Sequence, residues 1–257
     1  MNDNIIYEQP TNEIIRLLMK LEYLLSKYKF HYSQTSIWNI KEAINTLFEF
    51  TELSSRNNIK LILLKEISLS KDLLVKLEQN GYINENTFKK NNLILSEQEN
   101  KIHQLKDNIF SKILENEFIL SIKNKVYFPA GDNFFDLPSY LNFLTFNKNK
   151  IYTSLDMMFD NYPVINDTIS TILELKRRSS SFEECVALDG FYEINYDKNQ
   201  SLEIIRIKMD KDMNVYPIVS LNNRKISILF KMLSSQDLIP KKISNDVGFS
   251  YSCIFKI

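Results

Sequence analysis

Glycine is scarce in this sequence: only Gly81, Gly131, Gly190 and Gly248 occur among 257 residues. Loops that bind nucleotide phosphates need several glycines within a few residues, because a residue without a side chain lets the backbone approach the phosphate. The four glycines are too far apart to form such a loop. The sequence therefore argues against nucleotide-dependent catalysis.

Cysteine and histidine are also rare. Cys185 and Cys253 lie far apart, which favours a reducing compartment over a disulfide-bonded secreted scaffold. His31 and His103 are distant from each other and from both cysteines, so no metal-ligand spacing is present. We predict that the protein uses no metal or cofactor and is not an enzyme. A hydrolase remains the third hypothesis, and it requires a pocket that brings a base and a nucleophile together.

Long apolar runs and net charge are absent as well. No segment approaches the ~18 consecutive apolar residues of a membrane span, and the N-terminus lacks a signal-peptide pattern, so we expect a cytoplasmic protein without membrane association. The 32 basic and 32 acidic residues cancel, although residues 197–257 carry ten basic against six acidic side chains. This basic end keeps a nucleic-acid-binding adaptor as the alternative function, but it lacks the stacking aromatics and glycine-rich loops of single-strand binders.

Apolar residues recur at three- and four-residue steps through most of the first 180 residues, which is typical of helices with one buried face. The pattern predicts helices after Pro10 to about residue 28, at 37–48, 61–77 and 97–119, and two or three more up to about residue 178. Asp136 is predicted to cap the helix that begins near Pro138.

The period changes to two after Cys185, which predicts antiparallel strands with one face on a core. A short strand is also predicted at Val126-Tyr127-Phe128, followed by a turn. We therefore predict an α+β fold with two domains. Residues 1–182 form a mainly helical domain, whose strand and turn near 123–135 join the sheet, and residues 183–257 form an antiparallel β-strand domain.

The strand near residue 225 carries a candidate binding surface. Lys225, Leu229 and Lys231 are separated by even numbers of residues, so their side chains project to the same side of the strand. Two ammonium groups beside a leucine predict a site for a short peptide with acidic and apolar side chains. The other interpretation is an ordinary solvated face, and the pattern alone leaves both open.

Four stretches form a recognisable set over nearly the whole chain: Tyr7-Glu8-Gln9-Pro10-Thr11-Asn12-Glu13 running into Leu21-Glu22-Tyr23-Leu24; Leu63-Leu64-Lys65-Glu66; Phe128-Pro129-Ala130-Gly131 with Phe135-Asp136-Leu137-Pro138; and Leu188-Asp189-Gly190-Phe191-Tyr192 with Tyr216-Pro217. In this order and spacing they resemble the ZapD family of cell division factors. The resemblance implies a homodimer that binds the C-terminal tail of FtsZ, bundles FtsZ protofilaments and is found at the midcell division ring.

The resemblance also implies a basic patch that receives the FtsZ tail. Arg56 matches an arginine in the loop after the second helix, and Lys225 matches the first of two basic positions on a strand of the C-terminal sheet. The second strand position is Leu229, and a further basic position of the family is Glu117, so both depart from the pattern. We therefore predict that Arg56, Arg224, Lys225, Leu229 and Lys231 form the tail-binding site.

Overall fold

The structure is a computed structural model that describes residues 4–34, 36–197, 199–222, 225–234 and 238–256. Helices are followed by antiparallel strands, which confirms the α+β prediction. In chain order, the elements are β1 (Asn4–Pro10), α1 (Glu13–Ser33), α2 (Ile37–Ser55), α3 (Ile59–Gln79), α4 (Glu85–Gln104), α5 (Ser111–Leu114), α6 (Glu117–Val126), α7 (Pro138–Leu144), α8 (Lys148–Met158), α9 (Tyr162–Arg178), β2 (Glu183–Ala187), β3 (Phe191–Asn195), β4 (Leu202–Asp210), β5 (Val215–Asn222), β6 (Lys225–Leu233), β7 (Pro240–Lys242) and β8 (Val247–Phe255).

These elements form two compact units. The β unit comprises Met1–Arg16 and Leu175–Ile257, and the helical unit comprises Leu17–Glu174. They differ from the predicted division at residue 182 because the first 16 residues and the end of α9 group with the strands. Arg206 lies on β4 of the β unit, where Glu8 of β1 and the backbone of Arg177 at the end of α9 both bind it.

Two antiparallel sheets build the β unit. The first sheet has the strand order β1-β4-β8-β2, and the second has the order β3-β6-β5, with β7 also paired to β6. Inward residues of both sheets form one core, as in a β-sandwich. Its buried members are Ala187, Leu202, Ile205, Ile207, Met209, Ile226, Ile228, Phe230, Ile243, Val247 and Phe249. The alternation predicted for β6 is therefore confirmed, and in β4 the predicted core face is confirmed, although Glu203 and Ile204 are buried as well.

The strand β1 was not predicted. It pairs with β4 in antiparallel register, with Tyr7 opposite Ile207. Its apolar residues Ile5, Ile6 and Tyr7 are consecutive, and both isoleucines are more than a third exposed, so the segment shows no period of two. An edge strand of this kind has no alternation for a sequence pattern to detect.

The second face of β8 is buried, although the alternation predicted it to be exposed. Ser250, Ser252 and Ile254 are all at most 7 % exposed. On this face Arg206, opposite Ser252, donates to the backbone carbonyl of Arg177 at 2.9 Å and lies over the ring of Phe182. The end of α9 and the residues after it therefore cover this side of the first sheet.

Buried charges hold that covering segment in place. Glu8 accepts hydrogen bonds from Arg177 at 2.7 Å and from Arg206 at 2.8 Å. Lys176 and Glu203 form a second ion pair of 2.6 Å in which both residues are nearly inaccessible to solvent. Each buried charge therefore has a partner of opposite sign, as burial requires.

Polar side chains cap several helices of the helical unit. Each cap accepts a hydrogen bond from the backbone N–H three residues later in the chain, and the caps are Ser36, Asn58, Asn84, Asn116 and Asn147. Between the helices lies an apolar core that includes a cluster of three aromatic rings, Phe50, Phe110 and Phe159, with centroids 5.0–5.7 Å apart.

The predicted strand at 126–128 is wrong. The first of these residues, Val126, is the last residue of helix α6. Asn116 caps the start of this helix, and Ile119 and Ile122 are buried one turn apart on its inner face. Tyr127 is the C-cap, and none of residues 123–135 pairs with any strand that the structure describes. The side chains that favour a strand here belong to a helix end and the turns after it.

Asp136 does not cap α7, although Pro138 does occupy the predicted first position of the helix. The residue before the helix is Leu137, and no side chain forms a cap hydrogen bond there. The backbone N–H of Asp136 instead donates to the side chain of Asn133 at 2.7 Å. Asp132 is the partner of buried Lys41, with 2.6 Å between the ammonium nitrogen and the carboxylate. Both aspartates therefore stabilise the 127–137 turns.

Within the described part of the chain, no helix has the length and apolar character needed to span a bilayer.

The turns after α6 require glycine at residue 131. A Cβ atom added to Gly131 would lie 1.8 Å from the carbonyl oxygen of Lys125, whereas one added to Gly248 would meet nothing within 4 Å. We expect Gly131→Ala to lower the free energy of unfolding by about 1–3 kcal/mol, because the backbone must shift. Gly248→Ala should change it by less than about 0.5 kcal/mol. Urea denaturation of both variants checks this, and equal stabilities would contradict it.

Candidate functional site

The outer face of the second sheet is defined by the alternation of β6. Ile226, Ile228 and Phe230 are fully buried in the core, so the residues between them project outward. The outward set is Lys225, Ser227, Leu229 and Lys231. The structure thus places Lys225, Leu229 and Lys231 on one face of one strand, as predicted.

An apolar row crosses this face at Leu229. In the register of the sheet, Leu229 lies opposite Phe191 of β3 on one side and Ile218 of β5 on the other. Phe191 is 46 % exposed and Ile218 is 40 % exposed. Directly opposed side chains of antiparallel strands are in contact distance, so these three residues form a continuous strip, which we call the apolar row.

A basic row lies beside the apolar row. Lys231 is directly opposite Lys242 of β7 and Tyr216 of β5. Like charges directly opposite each other on a sheet are destabilising, and no acidic residue in the described ranges forms an ion pair with either lysine. The two lysines and Tyr216 are called the basic row. An anionic group bound between the two ammonium groups would relieve their repulsion.

Lys225, at the other end of the face, has a partner within the protein. Its ammonium group lies 3.0 Å from a carboxylate oxygen of Glu193 on β3, and both side chains are well exposed. An exposed pair of this kind contributes little to stability, but it compensates the charge of Lys225 locally. Lys225 is therefore less available to an anionic ligand than Lys231.

Arg56 lies on the helical unit, at the C-cap of α2, and its side chain is exposed. It borders a surface recess of about 510 Å³ that is also lined by Asn57, Asn58 and Asp107. Its positive charge, after the larger effect of Lys123, helps to lower the pKa of Glu52. The recess combines the charge of Arg56 with amide groups and with the carboxylate of Asp107, which forms an ion pair with Lys60.

The predicted site residues therefore fall into three sets. Lys225, Leu229 and Lys231 share the outer face of the second sheet, in the β unit. Arg56 belongs to the helical unit, and Arg224 lies outside the described residues. Glu117, the departure noted in the sequence, is the first residue of α6, where a carboxylate is favourable because the N-terminus of a helix carries partial positive charge.

Sequence reasoning missed four members of the two rows: Phe191, Ile218, Tyr216 and Lys242. The alternation of β3 and β5 shows which of their residues point outward. Which outward residues lie next to Leu229 and Lys231 depends on how the strands pair. The alternation of apolar residues along one strand does not reveal that pairing. Only the structure therefore supplies the neighbours.

Cys253 is not in an environment that activates a thiolate. Burial, with a smaller contribution from Glu183, raises the pKa of Cys253 to about 11. The sulfur of Cys185 lies 3.1 Å from the hydroxyl oxygen of Tyr192, and this contact raises the pKa of that phenol. Reactive cysteines need a lowered pKa. Among the described residues, no group of three histidine, cysteine, aspartate or glutamate side chains is arranged to hold a metal ion.

Comparison with known proteins supports the resemblance seen in the sequence. Residues 19–229 match the model of the ZapD family, described as a cell division protein. The Cell division protein ZapD of Janthinobacterium sp. (strain Marseille) is 27 % identical over 252 residues, which cover 98 % of this chain and 100 % of that relative. The family match spans most of both units and includes β6 as far as Leu229. This chain therefore belongs to the ZapD family of cell division proteins.

Proposed function

We propose that this chain is a non-enzymatic cell division factor that binds the C-terminal tail of FtsZ and crosslinks FtsZ protofilaments. The observation that carries the proposal is the basic row next to the apolar row on the outer face of the second sheet. Lys231 and Lys242 oppose each other without an acidic partner in the described ranges, and Phe191, Leu229 and Ile218 expose apolar surface beside them.

The spacing of the two rows suits an extended peptide. Leu229 and Lys231 are two residues apart on β6, so their side chains are separated by about 6.6–6.8 Å. An extended peptide repeats its own side chains on one side at the same distance. If an acidic side chain of the peptide lies between Lys231 and Lys242, the next side chain on the same side of the peptide contacts the apolar row. The two lysines favour peptides with an acidic side chain, and burial of the apolar side chain adds affinity.

Crosslinking requires two tail sites on one particle. A homodimer supplies them, because each protomer presents one outer face. Once one tail is bound, the second binding event becomes intramolecular and the pair of contacts is far tighter than either alone. A protein that holds FtsZ filaments in this way is expected in the cytoplasm at the midcell division ring.

Co-sedimentation with polymerised FtsZ tests this function. We expect the protein to pellet with filaments of intact FtsZ and to thicken them into bundles, but not with filaments that lack the C-terminal tail. Light scattering of the protein alone should show a dimer at micromolar concentration. A monomer that still bundles filaments would overturn the bivalent mechanism. Pelleting with double-stranded DNA in place of FtsZ would favour the nucleic-acid adaptor instead.

The basic side chains should differ in their contributions to tail affinity. We expect Lys231→Ala to weaken binding of a labelled FtsZ tail peptide by about tenfold, or ~1.4 kcal/mol. Lys225→Ala should weaken it by only about twofold, since Glu193 already compensates that charge. Arg56→Glu should also weaken it if the recess beside α2 contacts the tail.

Fluorescence anisotropy of the labelled peptide measures these affinities. Lys211→Ala is the matched control for the lysine variants, and Lys90→Glu is the control for Arg56→Glu. Both controls change exposed charges that belong neither to the two rows nor to the lining of the recess. A Lys231→Ala variant that binds as tightly as the Lys211→Ala control would place the tail elsewhere.

The apolar row generates a separate prediction, because Leu229 stands where the family pattern has a basic residue. Leu229→Asp should weaken tail binding, since it adds a like charge to an acidic peptide and removes apolar contact. Leu229→Arg should strengthen binding and steepen its dependence on salt, because exposed charge pairs are screened by ions. Anisotropy titrations at two salt concentrations measure both effects. If neither substitution changes the affinity, the outer face is only a solvated surface.

A further inference from the structure

A cavity in the helical unit is lined by none of the residues that we propose for tail binding. It has a volume of about 560 Å³ and lies among α1, the end of α8 and the start of α9. Four aromatic residues line it: Tyr28, Tyr32, Phe159 and Tyr162. This volume falls in the range of small-ligand sites, which are typically apolar with a few polar groups that fix orientation.

The rings are arranged around Tyr28. Its centroid lies 5.3 Å from that of Phe159, 5.5 Å from that of Tyr162 and 5.7 Å from that of Tyr32. The planes are tilted or edge-on to each other, with angles from 32° to 72°. These rings pack against one another and form one aromatic wall of the cavity, and an aromatic face on such a wall attracts an organic cation.

The hydroxyl of Tyr28 has no hydrogen-bond partner in the described part of the chain. Tyr28 is 4 % exposed and lines the cavity, and no residue of the described ranges forms a hydrogen bond with its hydroxyl. Because Tyr28 lines the cavity, its hydroxyl is open to the water there, and a ligand that binds in the cavity can replace that water as the hydrogen-bond partner.

Asp156 gives the cavity negative charge. One of its carboxylate oxygens accepts a hydrogen bond from the hydroxyl of Tyr32 at 2.8 Å, and no described lysine or arginine forms an ion pair with it. Burial and then this carboxylate raise the pKa of Tyr32 to about 12. Asp160 is already paired with Lys112, and Lys29 is the one cationic side chain among the described lining residues.

We propose that this cavity binds an ammonium group carried on an alkyl stem. The aromatic rings contact the stem and the cation, the Asp156 carboxylate forms the ion pair, and the hydroxyl of Tyr28 accepts one N–H hydrogen bond. A lysine side chain of a partner polypeptide and a free alkylamine both supply this chemistry. The site is distinct from the outer face of the second sheet and does not depend on FtsZ binding.

Two small probes test the charge requirement. n-Butylammonium and 1-butanol have the same number of heavy atoms, but only the first is cationic. In a titration followed by the NMR signals of the tyrosine rings, n-butylammonium should bind about three- to thirtyfold more tightly than 1-butanol. Equal affinity of the two probes would overturn the proposal.

Conservative variants assign the polar contacts. Asp156→Asn keeps the shape of the side chain but removes its charge, so the preference for n-butylammonium should disappear. Tyr28→Phe should weaken binding of both probes, because the N–H of one and the O–H of the other can each donate to the Tyr28 hydroxyl. Lys29→Ala should strengthen binding of n-butylammonium by removing a like charge. Asp72→Asn, at an exposed position of α3, is the control and should change nothing. A folded Asp156→Asn variant that keeps the preference contradicts the assignment.

A peptide arm distinguishes the two sources of the ammonium group. The tripeptide Gly-Lys-Gly, blocked at both ends, should bind more tightly than n-butylammonium if the natural ligand is a lysine of a polypeptide, and no more tightly if it is a free amine. The same peptide with acetylated lysine should not bind in either case. Binding of the acetylated peptide at the affinity of the unmodified one would overturn the cation site.

Discussion

The second sheet depends on the central position of β6. Its inward residues Ile226, Ile228 and Phe230 are completely buried, and β3, β5 and β7 all pair with it. Because side chains alternate along a strand, burying one set forces the other outward, and a shift of one residue would reverse both faces. The apolar core of the β unit thus holds Leu229 and Lys231 on the surface in a fixed register with Phe191, Ile218 and Lys242.

Lysines of this face that look equivalent in the sequence have different electrostatic surroundings in the structure. Lys225 and Lys231 occupy the same side of the same strand, yet Lys225 has Glu193 beside it and Lys231 has another lysine opposite. A nearby carboxylate weakens the electrostatic attraction between a lysine and an anionic ligand, whereas a second nearby ammonium group strengthens it. The resemblance implies a basic residue at the position of Leu229; in the structure, Lys242 on a neighbouring strand adds positive charge to this face, opposite Lys231.

Much of this fold could be predicted from the period of the apolar residues, and the failures have identifiable causes. The alternation of β4 and β6 predicts their buried faces, because a core-facing strand has a period of two. Strand β1 has three consecutive apolar residues at a sheet edge and shows no such period, and Val126 was assigned to a strand although it ends a helix that Asn116 caps. The two rows on the outer sheet face could not be predicted, since alternation identifies the outward residues of each strand but not which of them are neighbours.

The pairing of β1 with β4 has a consequence for how the chain is made. Tyr7 leaves the ribosome 200 residues before its partner Ile207. At about 5–20 residues per second, the nascent β1 segment waits roughly 10–40 s without its partner strand. During that interval its Ile5-Ile6-Tyr7 stretch is an unpaired apolar segment able to associate with other chains. The first sheet is completed only after β8 has been synthesised, so a chaperone bound to the β1 segment in that interval would prevent such association.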